Sequence, residues 1–259
     1  TRRFVRKEGQ VFDPRKEPEK ITGQEEPLKG SSEIGIPSTL HLASDLTYWK
    51  AFFRHLRIPV HTSENYRDSL KTGKKIAGAE FCAPIDSMYG HLSYLAENSK
   101  YIFMPIYLEA RNRPGGTEQN FCYYTQFSAS LASVESSGMA KKLVSPMLNF
   151  RKNQHRNAKL LAGSLARMGF HVPGISDIRE ALEFAADYCA TRKLRLESLF
   201  SDISGSGDDV EVMLLGRPYV VLSRTLNKGI PDIFARMGIR AWYQDMLPGE
   251  TDISGELTG

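Results

Sequence analysis

Three kinds of signal are scarce in this sequence of 259 residues: cysteines, long apolar runs and short catalytic or nucleotide-binding motifs. The three cysteines are far apart and odd in number, so they do not form a disulfide framework, and a reducing, cytoplasmic setting is expected. No apolar run approaches membrane-spanning length and no signal-peptide pattern is visible, so no membrane partner is expected. The sequence contains no Walker loop, no G-x-G-x-x-G after a strand, no H-E-x-x-H, no paired C-x-x-C and no G-x-S-x-G elbow. These absences argue against P-loop NTPases, closed structural zinc sites and serine hydrolases.

The charge of the chain is modestly positive, with a net value of +4. Basic residues are spread along the sequence, apart from pairs near the N-terminus, and no basic stripe with interleaved aromatic residues is present. Nucleic acid is therefore not expected as a partner. The sequence begins with Thr1 and ends without a capping element, which predicts a piece cut from a longer chain.

Residues 1–33 are rich in Arg, Lys, Glu, Pro and Gly and poor in apolar side chains, so they are predicted to form an extended arm or linker. Beyond this arm, short apolar runs alternate with amphipathic helical patterns, which indicates β–α–β units. The predicted fold class is therefore α/β, with two lobes. The first lobe is expected over residues 34–138 and the second, with a helical insertion, over 139–259. The break is expected between about Ser133 and Leu143, in a Ser/Gly-rich stretch.

The individual elements are predicted from apolar periodicity and from Gly and Pro punctuation. In the first lobe they are strands at 34–37, 58–61 and 101–106, helices from Ser44 or Asp45 to Leu56, over 63–70 and over 86–97, and a Gly/Lys turn at 72–75. In the second lobe they are strands near 143–148, 212–215 and 239–242, helices over about 154–167 and 177–200, and a helix that 227–232 opens and that runs through Met237.

Cys82 and Cys122 are candidate site residues because each lies beside an aromatic residue in a predicted loop. Cys82 comes just before a predicted helix, where free N–H groups and the positive end of the helix dipole favour a thiolate. Cys122 follows the loop that leaves the strand at 101–106, so both cysteines are expected at one edge of the first sheet, where α/β proteins bind ligands. A thiolate there could bind metal or attack an electrophile, whereas a buried cysteine would be an apolar filler, and the residues alone leave both interpretations open. Cys189 lies within an amphipathic helical pattern and is interpreted as filler.

His91 follows Cys82 by nine residues and could serve as its general base. Such a pair needs a third group that orients the histidine, and the sequence identifies none. A half-buried, hydrogen-bonded helix residue is the alternative interpretation of His91.

Several blocks of the sequence, taken together, resemble an uncharacterised domain attached to large proteins related to 2-hydroxyacyl-CoA dehydratase activases. That domain is itself similar to the iron–sulfur subunits of the dehydratases that those activases serve. The resemblance covers about residues 34–245, and the order and spacing of the blocks carry it. The blocks are Ile34-Gly35-Ile36-Pro37 with Tyr48-Trp49-Lys50-x-Phe52-Phe53, Phe81-Cys82-Ala83-Pro84 with Gly90-His91, Asn120-Phe121-Cys122-Tyr123, and Gly216-Arg217-Pro218-Tyr219 with Asn227-Lys228-Gly229-Ile230-Pro231.

The resemblance implies Rossmann-like lobes with mostly parallel sheets and a [4Fe–4S] cluster in a cleft between them. Cys82 and Cys122 match cysteine positions of the pattern, so they are the expected cofactor-binding and metal-ligating residues. Related sequences often carry another cysteine near the end of the Tyr101–Pro105 strand, where this chain reads Met104-Pro105-Ile106-Tyr107. A cubane normally takes four cysteine thiolates, or three with an open iron. The remaining ligands would therefore come from outside this fragment, from a second copy or from a non-cysteine group, or the cluster has been lost.

Three functional hypotheses follow. The first is a dehydratase-like iron–sulfur, electron-transfer module that works with activase-type ATPase domains of the same polypeptide, in a system whose substrate is an acyl-CoA. The second is a non-catalytic scaffold or docking domain that has lost the cluster. The third is a thiol enzyme that uses Cys82 and His91.

Overall fold

The computed structural model describes residues 34–107, 109, 120–135, 137–150, 154–171, 174–204 and 210–248. The predicted arm at 1–33 lies outside the described residues. Within them the fold is α/β, as predicted, and its larger sheet is parallel. No helix in these ranges is long and apolar enough to cross a membrane.

Four short parallel strands form the larger sheet, in the order β2-β1-β3-β4. Ile34 of β1 lies opposite Val60 of β2 and Tyr101 of β3, and Ile102 lies opposite Leu143 of β4. The side chains of the central strand β1 are fully buried, as expected for a parallel sheet covered on both faces. The strands are β1 (Ile34–Ile36), β2 (Val60–Thr62), β3 (Tyr101–Phe103) and β4 (Leu143–Val144).

Helices make up most of the remaining described chain. In chain order they are α1 (Leu42–His55), α2 (Ser69–Ile76), α3 (Ala83–Asn98), α4 (Tyr123–Gln126), α5 (Ser128–Glu135), α6 (Ser137–Lys142), α7 (Gln154–Arg167), α8 (Ile175–Ile203), α9 (Pro218–Val221) and α10 (Ile230–Arg236). Two further strands, β5 (Glu211–Leu214) and β6 (Arg240–Tyr243), pair in parallel, and a 3-10 turn at Gln244–Met246 follows them.

Aromatic side chains of α1 pack against the larger sheet and form part of the hydrophobic core. Trp49 and Phe53 lie four residues apart on the apolar face of that helix and are fully buried. Their rings meet Phe103 of β3 edge-on, with centroids 4.9 Å and 5.0 Å away. Such pairs add about 0.5–1.5 kcal/mol each beyond the burial of apolar area. These aromatic contacts therefore fix α1 on the sheet.

Helices α2 and α3 cross at unusually short range because two glycines lie at the contact. A Cβ added to Gly73 would lie 1.5 Å from the carbonyl oxygen of Asp86, and one added to Gly90 would lie 1.9 Å from that of Ser69. The order of these contacts shows that the helices run antiparallel. The last turn of α2 therefore lies beside the first turn of α3, at Ala83.

The strands β5 and β6 belong to a separate, smaller compact unit. In β6, the Arg240 side chain donates to Glu211 Oε1 at 2.8 Å, and Trp242 Nε1 donates to Glu211 Oε2 at 3.1 Å. Contacts divide the chain into two compact units, and the smaller one holds the described ranges 190–204, 210–216 and 229–248. The larger unit holds the four-stranded sheet and also 217–228. The predicted limits of the lobes, 34–138 and 139–259, and the cleft between them stay predictions.

Two local predictions are wrong. The helix expected over 63–70 begins only at Ser69, and the turn expected at 72–75 is part of α2. Gly73 favours a turn by propensity, but its contact with α3 needs a residue without a side chain, and packing overrides the propensity. The strand expected near 143–148, which was assigned to the second lobe, is β4, and it pairs with β3 in the larger sheet.

The glycine contact can be tested by substitution. Gly73→Ala should lower the free energy of unfolding by about 3 kcal/mol, because the new methyl group overlaps the Asp86 carbonyl and the helices must separate. Gly163→Ala on α7 is the matched control, since its Cβ would meet nothing within 4 Å, and it should stabilise the protein by about 0.5–1 kcal/mol. Urea unfolding measures both changes, and equal stability of the two variants would contradict the described crossing.

Candidate thiol site at two helix N-termini

Cys82 and Cys122 occupy the same local position, the residue that precedes the first turn of a helix. Both have extended backbone angles, with φ −69° and ψ 150° at Cys82 and φ −60° and ψ 153° at Cys122. The carbonyl oxygen of each accepts the first hydrogen bonds of its helix, from Ile85 at 2.9 Å and Thr125 at 2.9 Å. Neither sulfur caps the helix, and both side chains are exposed. Both thiols are thus available to a ligand from outside.

The chain reaches Cys122 through a connection that starts at the end of β3. An isolated parallel bridge joins Ile106 to Met147 and extends the pairing of β3 with β4, and an antiparallel bridge joins Glu109 to Asn120. The second bridge closes the base of the connection two residues before Cys122. This agrees with the expected route from the strand at 101–106 to the second cysteine.

A ring contact brings the two cysteine segments together. Phe81, which precedes Cys82, meets Tyr124, two residues after Cys122, edge-on with ring centroids 5.8 Å apart. The first turns of α3 and α4 are therefore neighbours. Their role as metal ligands stays a prediction.

The environment of Cys122 favours its thiolate. Partial burial acts to raise the pKa of the Cys122 thiol, but hydrogen bonds from Thr125, the charge of Arg217 and the backbone of Tyr124 together lower that pKa below its ordinary value. Thr125 Oγ1 lies 3.3 Å from the Cys122 sulfur. A hydrogen bond to a thiolate stabilises the charged form, so Thr125 helps to activate this cysteine.

Arg217 is a component of the site that the sequence patterns did not predict. It precedes α9, and its Nη1 donates to the Tyr219 hydroxyl at 2.8 Å. This hydrogen bond is the main cause that raises the pKa of Arg217, and electrostatic interaction with Cys122 and Cys82 raises it further. A residue 95 positions after Cys122 thus comes within electrostatic reach of both thiols, an approach that no local pattern could indicate.

A hydrogen-bonded group around the buried His41 and Tyr107 contacts Phe121, the residue before Cys122, and was also not predicted. His41 Nε2 lies 2.7 Å from the Pro105 carbonyl oxygen, and the Tyr107 hydroxyl donates to Asp45 Oδ2 at 2.5 Å. The rings of His41 and Tyr107 contact each other and Phe121. These contacts fix the end of β3 and the residue before Cys122.

Few of the described side chains at the site could bind a metal ion. Among the described residues, no group of three or more His, Cys, Asp and Glu side chains could hold a metal ion. Cys189, the third cysteine, is partly exposed and packs against the core of the larger unit. This position agrees with its interpretation as an apolar filler.

His91 cannot act as the base for Cys82. It lies on α3 nine residues beyond Cys82, which corresponds to about 13 Å along the helix axis. It is 4% exposed, and its ring lies near Tyr66, with centroids 6.2 Å apart. Burial lowers the pKa of His91 to about 4, although a hydrogen bond with the Ser63 backbone acts to raise it. His91 is therefore a neutral residue of the interior, and the proposed Cys82–His91 pair is wrong.

The depressed pKa of His91 predicts a pH-dependent stability. Above about pH 6.5 the histidine is neutral in both folded and unfolded chains, so it contributes no pH dependence. Between pH 6.5 and 4 the unfolded chain binds a proton that the folded chain does not, and stability falls as the pH falls, by up to about 3 kcal/mol from this residue. Denaturant unfolding of His91→Gln should show a smaller loss over that range, and an equal loss in both proteins would contradict the assignment.

The hydrogen bond between Thr125 and Cys122 predicts a reactivity change. Thr125→Val keeps the shape of this buried side chain but removes its hydroxyl, so the pKa of Cys122 should rise and its alkylation by iodoacetamide should shift to higher pH. Mass spectrometry of the modified peptide measures the profile. Thr125→Ser is the control and should retain the wild-type profile; an unchanged profile in the valine variant would contradict the role of Thr125.

Comparison with known proteins identifies the family. No curated protein and no solved structure matches the chain significantly. The family model described as the CoA enzyme activase uncharacterised domain matches residues 33–247. This match spans both cysteines, Arg217 and all the described strands and helices. The chain therefore belongs to the family of CoA enzyme activase uncharacterised domains.

Proposed function

We propose that this domain is a dehydratase-like iron–sulfur module of an ATP-dependent acyl-CoA dehydratase activase system, with Cys82 and Cys122 as thiolate ligands of a [4Fe–4S] cluster. Membership of the activase-related family supports the context. The observation that carries the proposal is the ring contact that holds the first turns of α3 and α4 together, each preceded by an exposed cysteine.

The chemistry of the site suits an iron–sulfur cluster, but the number of ligands does not suffice. Thiolates are the usual ligands of iron in such clusters, and a hydrogen bond to a ligating sulfur, like that of Thr125, adjusts the reduction potential. Two cysteines supply half of a full set of four. The remaining ligands would come from a second chain or from parts of the protein beyond the described residues.

The proposed roles of the residues follow from their positions. Cys82 and Cys122 would hold iron, and the backbone N–H groups of Tyr124 and Thr125 in α4 favour the Cys122 thiolate. Arg217 offsets negative charge at the thiolates. A bound cluster supplies one-electron transfer, and the electron donor in the system is an activase-type ATPase domain, expected in the same polypeptide.

A docking domain without a cluster is the second candidate, and a specific observation favours it. The aromatic side chains of α4 and the residue after it are unusually exposed: Tyr123 by 80%, Phe127 by 59% and Tyr124 by 50%. Exposed aromatic residues are typical of protein–protein contacts. A partner could therefore dock on this surface whether or not iron is bound.

Anaerobic reconstitution with iron and sulfide distinguishes the two candidates. The wild-type chain, with any partner domain that it needs, should bind iron and acid-labile sulfide and give an electron paramagnetic resonance signal after reduction. Cys82→Ser with Cys122→Ser should lose both, whereas the matched control Cys189→Ala should keep them, because Cys189 packs against the core.

Two results would contradict the iron–sulfur proposal. Iron and sulfide retained in the double serine variant would remove Cys82 and Cys122 as ligands. No iron in the wild-type protein, alone or with its activase-type domains, would leave the docking role.

A further inference from the structure

Three cations, one of them distant in sequence, come from the segments around the two thiols. Arg217 is exposed and interacts electrostatically with both cysteines. Its guanidinium is oriented by the hydrogen bond to the Tyr219 hydroxyl. The helix that it precedes, α9, packs against α1 in the larger unit, which also contains both cysteines.

Helix α2 brings two lysines toward the same place. Lys74 and Lys75 are exposed in its last turn. Because α2 and α3 run antiparallel through the Gly73 and Gly90 contacts, this turn lies beside the start of α3, which Cys82 precedes. Burial raises the pKa of Asp86 in the first turn of α3, and the positive charge of Lys74 acts in the opposite direction, so the ammonium group lies within electrostatic reach of that turn.

A purely structural role explains part of this arrangement. Lysines in the last turn of a helix interact favourably with its dipole, and Lys74 and Lys75 meet that description. This role does not account for Arg217, which comes from another element and interacts with the thiols themselves. Glu80, on the loop before Cys82, and Asp86, in the first turn of α3, are opposing charges, and the three cations outnumber them.

We propose that Arg217, Lys74 and Lys75 form a cationic rim around Cys82 and Cys122 that selects ligands carrying oxyanions, of the phosphate or carboxylate type. The rim raises the local concentration of anions at the sulfurs and repels cations. A guanidinium and an exposed helix start both suit oxyanions, since they offer N–H donors as well as positive charge. The inference extends the proposed function, because it gives the charge of the group that approaches the site.

The local potential can be measured at each sulfur with two alkylating reagents. Iodoacetate is an anion and iodoacetamide is neutral, and both react with the thiolate, so the ratio of their rates does not depend on how much thiolate is present. In the reduced, metal-free chain at low salt, the ratio at Cys82 and Cys122 should exceed the ratio at the same residues in urea. Raising the salt concentration should bring the two ratios together, because ions screen exposed charges.

Substitutions in the rim test whether its three cations cause the positive electrostatic potential at the sulfurs. Arg217→Gln, and Lys74→Gln with Lys75→Gln, should each lower the ratio by roughly twofold per charge, as expected for charges about 8 Å apart in water. Arg217→Lys should keep most of the effect. Lys100→Gln is the matched control and should change nothing, because Lys100 lies beyond the far end of α3, about 24 Å along the helix axis from Cys82. Equal ratios in the wild-type, Arg217→Gln and double lysine variants would overturn the proposal.

Protection from iodoacetamide identifies the type of oxyanion. Pyrophosphate tests the phosphate group and glutarate tests the carboxylate group, each compared with sodium chloride at matched ionic strength. Protection by either compound beyond that of sodium chloride supports the rim and names its ligand chemistry, whereas equal protection by all three shows only bulk screening and overturns the selection of oxyanions.

The outcome separates this inference from the proposed function. If the chain binds no iron but the ratio of alkylation rates still depends on the three cations, the rim is supported and the cluster is contradicted. If the chain binds iron through both cysteines but the ratio does not depend on these cations, the cluster is supported and the rim is contradicted.

Discussion

The crossing of α2 and α3 is the packing constraint on which the thiol site depends. Gly73 and Gly90 let the backbones approach to a distance that any side chain would prevent, so the position of α3 along α2 is fixed. The start of α3, and with it Cys82, therefore has a defined place. The same crossing sets the last turn of α2, which carries two lysines, beside that start. One contact between small residues thus determines both a candidate ligand and part of its electrostatic environment.

Cys122 is positioned by different means. The chain leaves the parallel sheet at the end of β3, and the buried contacts of His41 with Pro105 and Phe121 hold the chain that follows. Two elements that are far apart in sequence then meet through Phe81 and Tyr124. Ligands of α/β proteins generally collect beyond the carboxyl ends of parallel strands, and the chain reaches Cys122 through the connection that leaves β3. The chain belongs to a family of CoA enzyme activase domains. In the proposed cluster, both thiols would serve as ligands of iron.

The sequence predicted the elements that have strong local periodicity, and it missed features that only packing determines. Helix α7 was expected over about 154–167 and is found at Gln154–Arg167, because its apolar spacing is regular. Helix α2 was misplaced because Gly73 followed by two lysines is typical of a turn. Only the contact of Gly73 with α3 explains why this glycine lies in a helix. The partner of β4 could not be predicted, because a strand of two residues carries no pattern that identifies its neighbour. Arg217 was quoted as part of a sequence block, but its approach to the cysteines depends on the tertiary fold.

The central claim is that Cys82 and Cys122 lie close enough to share one ligand. Joint ligation of a cubane requires their sulfurs to lie within about 6–7 Å, given thiolate–metal bonds of about 2.3 Å. The most direct measurement is intramolecular crosslinking of the reduced chain by a short bifunctional thiol reagent, in a Cys189→Ala background, followed by peptide mass spectrometry. The account predicts one dominant crosslink between the Cys82 and Cys122 peptides in the monomer, lost on unfolding. Two singly modified cysteines without a crosslink would contradict it.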